Sequence, residues 1–218
     1  MGQSEIIALV LAAGISGRME RFKPLLGLGG QPLIARVVRT FREAGIRDVR
    51  VVAGHRKELL YPVVDKLKAR LIVNERYAEG MFSSVQAGVS TIGPEVEAFF
   101  VLPVDMPLVS VPTIQLLAQC YRRDPGKILV PSFGGKDGHP PLIAAALKKC
   151  IINYHGGDGL KGALKQSRVD LVRVPVNDEN ILFDVDVPGD YRELQDRWER
   201  LHNLRAAGGE MTGAALTG

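Results

Sequence analysis

One stretch near the start of the chain concentrates groups suited to holding phosphate: Leu11-Ala12-Ala13-Gly14-Ile15-Ser16-Gly17-Arg18-Met19, followed by Lys23-Pro24-Leu25. Its small residues let a backbone come close to a ligand, and peptide N–H groups in such a turn can cradle phosphate oxygens. Arg18 and Lys23 add the positive charge that a triphosphate demands. Neither familiar glycine motif is present: there is no Gly-x-x-x-x-Gly-Lys-Ser/Thr, and the glycines do not space as Gly-x-Gly-x-x-Gly. On residue types alone, a plain glycine turn with two solvated cations stays open.

Carboxylates recur at two later points. Val101-Leu102-Pro103-Val104-Asp105-Met106-Pro107 places Asp105 at the end of an apolar run that Pro107 stops. An aspartate there can grip Mg²⁺ while water and phosphate oxygens fill the other positions. Phe183-Asp184-Val185-Asp186-Val187-Pro188-Gly189-Asp190-Tyr191 supplies more carboxylates just before the final helix. By position Asp186 reads equally as a helix N-cap, and strand alternation would send Asp184 and Asp186 to the same side. Ser83 or Ser84, after Glu79-Gly80-Met81-Phe82, can cap a helix or face a ligand. His139, in the loop Gly134–Pro141, is a lone histidine of the kind that is usually structural or solvated.

The elements that must position these groups follow from periodicity. Ile6–Leu11 is a continuous apolar run, as expected of a strand covered on both faces. Leu33, Ile34, Val37, Val38 and Phe41 draw one helical stripe, and Leu59, Leu60, Val63, Val64 and Leu67 another, with Pro62 tolerable only in a first turn. Strands are expected at Asp48–Ala53, Leu71–Asn74 and Ala98–Val104, and helices at Ser83–Ile92 and Thr113–Arg122. This alternation predicts a parallel, doubly wound sheet. Ile128–Pro131, Leu142–Ala146 and Leu171–Val176 then read as strands between Gly-rich loops, predicting a mixed sheet with an antiparallel excursion. A last helix over Gly189–Arg205 carries Tyr191, Leu194, Trp198 and Leu201 on one face, and Ala206–Gly218 reads as a disordered tail or a linker.

The chain has 218 residues, which suits one α/β domain over residues 1–205. Its net charge of +4 suits an anionic ligand, but no Lys/Arg run with interleaved aromatics points to nucleic acid. Cys120 and Cys150 read as two buried free thiols of a reducing compartment. No apolar run approaches a membrane span, and the N-terminus lacks the basic region of a signal peptide, so the expected location is cytoplasmic.

Leu-Ala-Ala-Gly-x-Ser-x-Arg-Met followed by Lys resembles the signature of the MobA-like nucleotidyltransferases, within the glycosyltransferase-A-like fold, and is most similar to the molybdenum-cofactor cytidylyltransferase branch. The likeness extends over residues 6–200 and implies a three-layer α/β sandwich with a mostly parallel mixed sheet. It implies that Leu11, Ala12, Ala13, Gly14, Ser16, Gly17, Arg18 and Lys23 wrap the nucleotide, with Gly80 and Ser84 beside the base. It implies Mg²⁺ on Asp105 and Asp186, with Arg18, Lys23 and Asp105 as catalytic groups. Ala13 suggests CTP, since the guanylyltransferase branch tends to carry Leu-Ala-Gly-Gly. Gly138-His139-Pro140 and Gly157-Asp158-Gly159 with Lys161 resemble the acceptor side, so Lys136, His139, Asp158 and Lys161 are expected to bind a phosphorylated acceptor such as molybdopterin. A molybdoenzyme or a fused domain is the protein partner such a likeness suggests. Two departures stand out: Glu20 replaces the usual Gly after Arg-Met, and Val187 the usual Thr of the second acidic motif. Two alternatives keep the fold: a sugar- or polyol-phosphate acceptor, or a non-catalytic nucleotide-sensing module.

Overall fold

The computed structural model describes residues 5–19 and 21–210. Strand β1 (Glu5–Ala12) is buried at every position after Glu5, which is what its unbroken apolar run requires. The loop beyond it passes through 3-10 turns at Gly17–Met19 and Lys23–Leu25 into a small antiparallel hairpin, β2 (Gly27–Leu28) and β3 (Gln31–Pro32). Strand and helix then alternate through α1 (Leu33–Glu43), β4 (Val49–Ala53), α2 (Lys57–Lys66), β5 (Arg70–Val73), α3 (Met81–Ser90), β6 (Val96–Pro103) and α4 (Val111–Arg123). The second part adds β7 (Ile128–Phe133), β8 (Lys136–Asp137), β9 (Leu142–Ala144), α5 (Lys148–Ile152), α6 (Gly159–Gln166), β10 (Leu171–Pro175) and α7 (Pro188–Glu210).

The main sheet runs β10-β7-β9-β6-β1-β4-β5, with β8 hydrogen-bonded to β7. β1 is parallel to both β4 and β6, as are β4 to β5 and β10 to β7, while β9 lies antiparallel between β6 and β7. The expected antiparallel excursion is therefore the β7–β8–β9 segment. Alternation along β1 splits the interior into two cores. Ala8 and Val10 face α1, α2, α4 and α7 through Val37, Leu60, Ile114 and Leu194. Ile7 and Leu9 face α3, α5 and α6 through Val85, Val89, Ile151 and Ala163. The result is the three-layer sandwich that the resemblance implied, with the expected α7 stripe of Tyr191, Leu194, Trp198 and Leu201 packed on the first core.

Several expectations need correction. Pro62 lies inside α2, beyond its first turn. It is tolerated because its side is exposed, so the Glu58 carbonyl left without its usual donor can meet water. Cys120 and Cys150 are free but only half-buried. The short helices α5 and α6 carry too few turns to draw a periodic stripe. α7 continues to Glu210, past the expected end at Arg205, and the rest of the tail lies outside the described residues, as do Met1–Ser4 and Glu20. Among the described residues no helix is long and apolar enough to cross a membrane.

Candidate functional site

From β1 the chain steps outward to β4 and β5, then returns to β6 on the other side of β1. The carboxyl ends of β1 and β6 thus form a topological switch point, where an open α/β sheet leaves a crevice. Leu11 pairs with Pro103 there, and the Val104 N–H donates to the Leu11 carbonyl at 3.0 Å. The crevice is a cavity of about 390 Å³. Its wall contains every residue expected to hold nucleotide or metal: Leu11, Ala12, Ala13, Gly14, Ser16, Gly17, Arg18, Lys23, Gly80, Ser84, Asp105 and Asp186.

The loop is shaped by its own contacts. Ser16 takes a left-handed conformation at φ 58°, and its Oγ accepts the Lys23 N–H at 3.2 Å, tying the two ends of the loop together. A Cβ added at Gly14 or Gly17 would meet open space, and neither has positive φ. Packing within the protein therefore does not demand glycine at either position; the room they leave faces the cavity.

The charged groups converge on one ammonium. Lys23 Nζ lies 2.7 Å from Asp186 Oδ1 and 3.4 Å from Asp105 Oδ2, and Arg18 Nη2 lies 2.9 Å from Asp186 Oδ2. Burial at the end of β6 raises the pKa of Asp105, against the pull of Lys23 and with some help from the Asp184 charge. Asp186 moves the opposite way, held below the usual carboxylate value chiefly by its hydrogen bond from Lys23. The two carboxylates diverge because Asp105 is the more buried, its side chain 18% exposed against 33% for Asp186, while Lys23 pulls both pKa values down and lies closer to Asp186.

Asp186 is placed by backbone contacts rather than by a sheet. The Val185 N–H donates to the Asp105 carbonyl at 3.1 Å, and Val185 itself is fully buried. Asp190 Oδ2 then accepts the N–H groups of Asp186 at 2.8 Å and Val187 at 2.9 Å, so a carboxylate supplies the anchoring that Val187 cannot. Asp184 is exposed and does not line this cavity, but it acts electrostatically on both Asp105 and His139.

Gly80 opens α3 at φ 101°, a conformation that side chains rarely adopt. Buried Asn74 fixes the helix start by donating to Ser83 Oγ at 2.8 Å and Ser84 Oγ at 3.0 Å. Ser83 spends its own proton on the carbonyls of Arg76 and Gly80, whereas Ser84 lines the cavity and can turn its proton toward a ligand. Tyr77 and Met81 also line this side. Met81 falls within the segment expected beside the base, whereas Tyr77 was not visible in the sequence, because it sits outside any periodic stripe.

Residues expected on the acceptor side divide. His139 and Lys161 line a second cavity of about 600 Å³, between α6 and the β7–β10 edge, whose wall is largely apolar: Ile128, Val130, Leu160 and Leu164. Lys136 is exposed on β8 and Asp158 precedes α6 at its N-cap; neither lines this cavity. The His139 N–H donates to the Ile181 carbonyl at 2.9 Å, an approach that a Cβ on Gly138, 2.6 Å from that oxygen, would block. His139 is exposed as a residue, yet the protein packed around its ring moves its pKa below the usual histidine value, with the Asp184 charge opposing. Among the described residues no three His, Cys, Asp or Glu side chains gather as a metal cage. A hard cation such as Mg²⁺ needs no cage: one or two carboxylates plus water and phosphate oxygens suffice, and Asp105 with Asp186 offers that donor set.

Comparison with known proteins identifies a family. The MobA-like NTP transferase domain family matches residues 8–171. Nicotine blue oxidoreductase of Paenarthrobacter nicotinovorans is 28% identical over 83% of this chain and 92% of its own length. A probable molybdenum cofactor guanylyltransferase of Opitutus terrae is 30% identical over 65% of this chain and 66% of its own. The bifunctional protein GlmU of Syntrophomonas wolfei is 30% identical over 55% of this chain, which spans only 26% of that relative's length. Among solved structures, a nucleotidyl transferase from Methanothermobacter superposes with TM-score 0.79 at 23% identity, over 90% of this chain and 99% of the other. A Mycobacterium tuberculosis H37Rv protein in complex with manganese gives 0.73 at 21%, over 88% and 98%.

Proposed function

Because the chain belongs to the MobA-like NTP transferase family and is a nucleotidyltransferase, we propose that it transfers a cytidylyl group from CTP to a phosphorylated acceptor, molybdopterin, with release of pyrophosphate. The observation that carries this reading is the convergence of a glycine-bearing loop, two cations and two carboxylates on one cavity at the switch point. Phosphoryl-centre chemistry of this kind needs positioning and charge neutralisation more than a protein nucleophile. The loop from Ala12 to Gly17 holds the triphosphate, and Arg18 and Lys23 neutralise the departing pyrophosphate. Asp105 and Asp186 hold a divalent cation, Mg²⁺ in this proposal; when bound, it supplies electrophilic stabilisation of the phosphate oxygens. The acceptor phosphate is already an anion at neutral pH and attacks the α-phosphorus in line. Ala13 supports cytosine over guanine, and the Ser84 hydroxyl offers a donor to an acceptor atom on the base edge.

On the acceptor side, His139 and Lys161 stand at a cavity with apolar walls, which supports a substrate with a flat ring body and a charged end. A second reading draws on the same cavity: the relative named nicotine blue oxidoreductase acts on another kind of molecule, and an apolar wall would also receive a flat aromatic compound. A pyrophosphate-release screen decides between them. Each of the four NTPs is paired with molybdopterin, with several sugar and polyol phosphates, and with no acceptor. The cytidylyl reading requires release only with CTP and molybdopterin. Release with another pair reassigns base or acceptor, and no release with any pair, together with turnover of a flat aromatic compound, favours the second reading.

A further inference from the structure

We propose that Lys23 is a stand-in cation for the Asp105–Asp186 pair, so that the chain admits a divalent cation only after an anionic phosphate has drawn the lysine away. The proposal rests on the reading of this cavity as a nucleotide site. Lys23 is 12% exposed and reaches both carboxylates at once, 2.7 Å from Asp186 and 3.4 Å from Asp105. Arg18 covers the second oxygen of Asp186 at 2.9 Å. Three of the four carboxylate oxygens of the pair are therefore already engaged by positive groups. A divalent ion needs those same oxygens, and placing it beside an ammonium ion at such range is strongly repulsive in a partly desolvated crevice.

The exchange is mechanically simple. The Lys23 backbone is pinned by Ser16 Oγ and by Pro24 in the following 3-10 turn, whereas its four-carbon side chain can swing about that fixed point. Phosphates seated along Gly14–Gly17 would offer the ammonium group a stronger anionic partner within the same cavity. Arg18, 72% exposed, is free to follow. The vacated carboxylates then become available to the cation. Nucleotide phosphate and cation thus bind as coupled partners, with Lys23 as the coupling element.

The test uses the full chain and Mn²⁺ as a paramagnetic probe, with free Mn²⁺ counted by electron paramagnetic resonance. Without nucleotide, Lys23→Met should bind Mn²⁺ at least about tenfold more tightly than wild type. CTP should then raise Mn²⁺ affinity by a larger factor in wild type than in Lys23→Met. Lys23→Gln, which keeps a hydrogen-bond donor for Asp186, carries the same expectation and serves if the methionine variant does not fold by circular dichroism. Equal or weaker Mn²⁺ binding in both folded variants overturns the proposal, as does an equal CTP effect in wild type and variant when both bind CTP. Failure of the functional reading looks different: a chain that binds no nucleotide still yields the nucleotide-free comparison, which alone decides whether Lys23 occupies the cation's place.

Discussion

Asp190 offers the most quantitative probe of how the site is built. Its Oδ2 accepts two backbone N–H groups, from Asp186 at 2.8 Å and from Val187 at 2.9 Å. It sits in the first turn of α7, so it reaches back over the helix start as the returning arm of a capping box does. Asp190→Ala removes both hydrogen bonds. Hydrogen bonds to a charged group contribute about 1.5–3 kcal/mol when their surroundings are dry. Here Val187 is 39% exposed and water can take over part of the work, so the cap scale of about 1 kcal/mol is the better guide. For a domain of this size that corresponds to a fall in Tm of roughly 2–4 °C. The functional effect should exceed the stability effect, because Asp186 loses the contact that fixes its backbone; turnover should fall about tenfold from misplacement alone. Thermal melts and pyrophosphate release on the same samples measure both, and Asp190→Asn, which retains one acceptor oxygen, should lie between. A variant with the expected Tm loss but unchanged turnover would show that Asp190 is only a helix cap.

Three further outcomes follow from the geometry. Asp105→Asn should keep the fold by circular dichroism while lowering turnover on the order of a thousandfold, since the cation loses a carboxylate at the reacting phosphates; near-normal turnover at limiting Mg²⁺ would remove Asp105 from the metal site. CTP should bind at least about tenfold more tightly than GTP by isothermal titration, and Ala13→Gly should narrow that gap; equal binding in the wild type would remove the cytidine preference. His139 has a folded pKa below the usual histidine value, so the unfolded chain takes up the proton first as pH falls. Its contribution therefore lowers stability progressively below about pH 6.5. In urea titrations His139→Gln should lose less stability than wild type between pH 7 and 5, and identical slopes would contradict the shift.

How far the sequence revealed the site depended on what kind of signal each residue carried. The loop and Asp105 were readable because each lies at the end of an apolar run, and run ends in an alternating pattern must share one edge of the sheet. Asp186 was recognisable through its motif, but not its support: that Asp190 holds the backbone of residues 186 and 187 is a matter of a side chain folding back over a helix start. Tyr77 had no signal, since the aperiodic link between β5 and α3 leaves direction undetermined. Lys136 and Asp158 were grouped with His139 by motif alone, and neither lines the cavity that holds His139 and Lys161. The turning of Lys23 and Arg18 onto carboxylates was equally hidden, because residue type announces a charge without naming its partner.

The central claim concerns which bond of the nucleotide breaks, and isotopic labelling reads that directly. CTP labelled at the α-phosphorus and, separately, at the γ-phosphorus would be incubated with Mg²⁺, molybdopterin and the full chain, and the products separated. Nucleotidyl transfer places the α label in the acceptor product and the γ label in pyrophosphate, in equal amounts. Appearance of the γ label on the acceptor, or of neither label while the chain demonstrably binds CTP, would contradict the account.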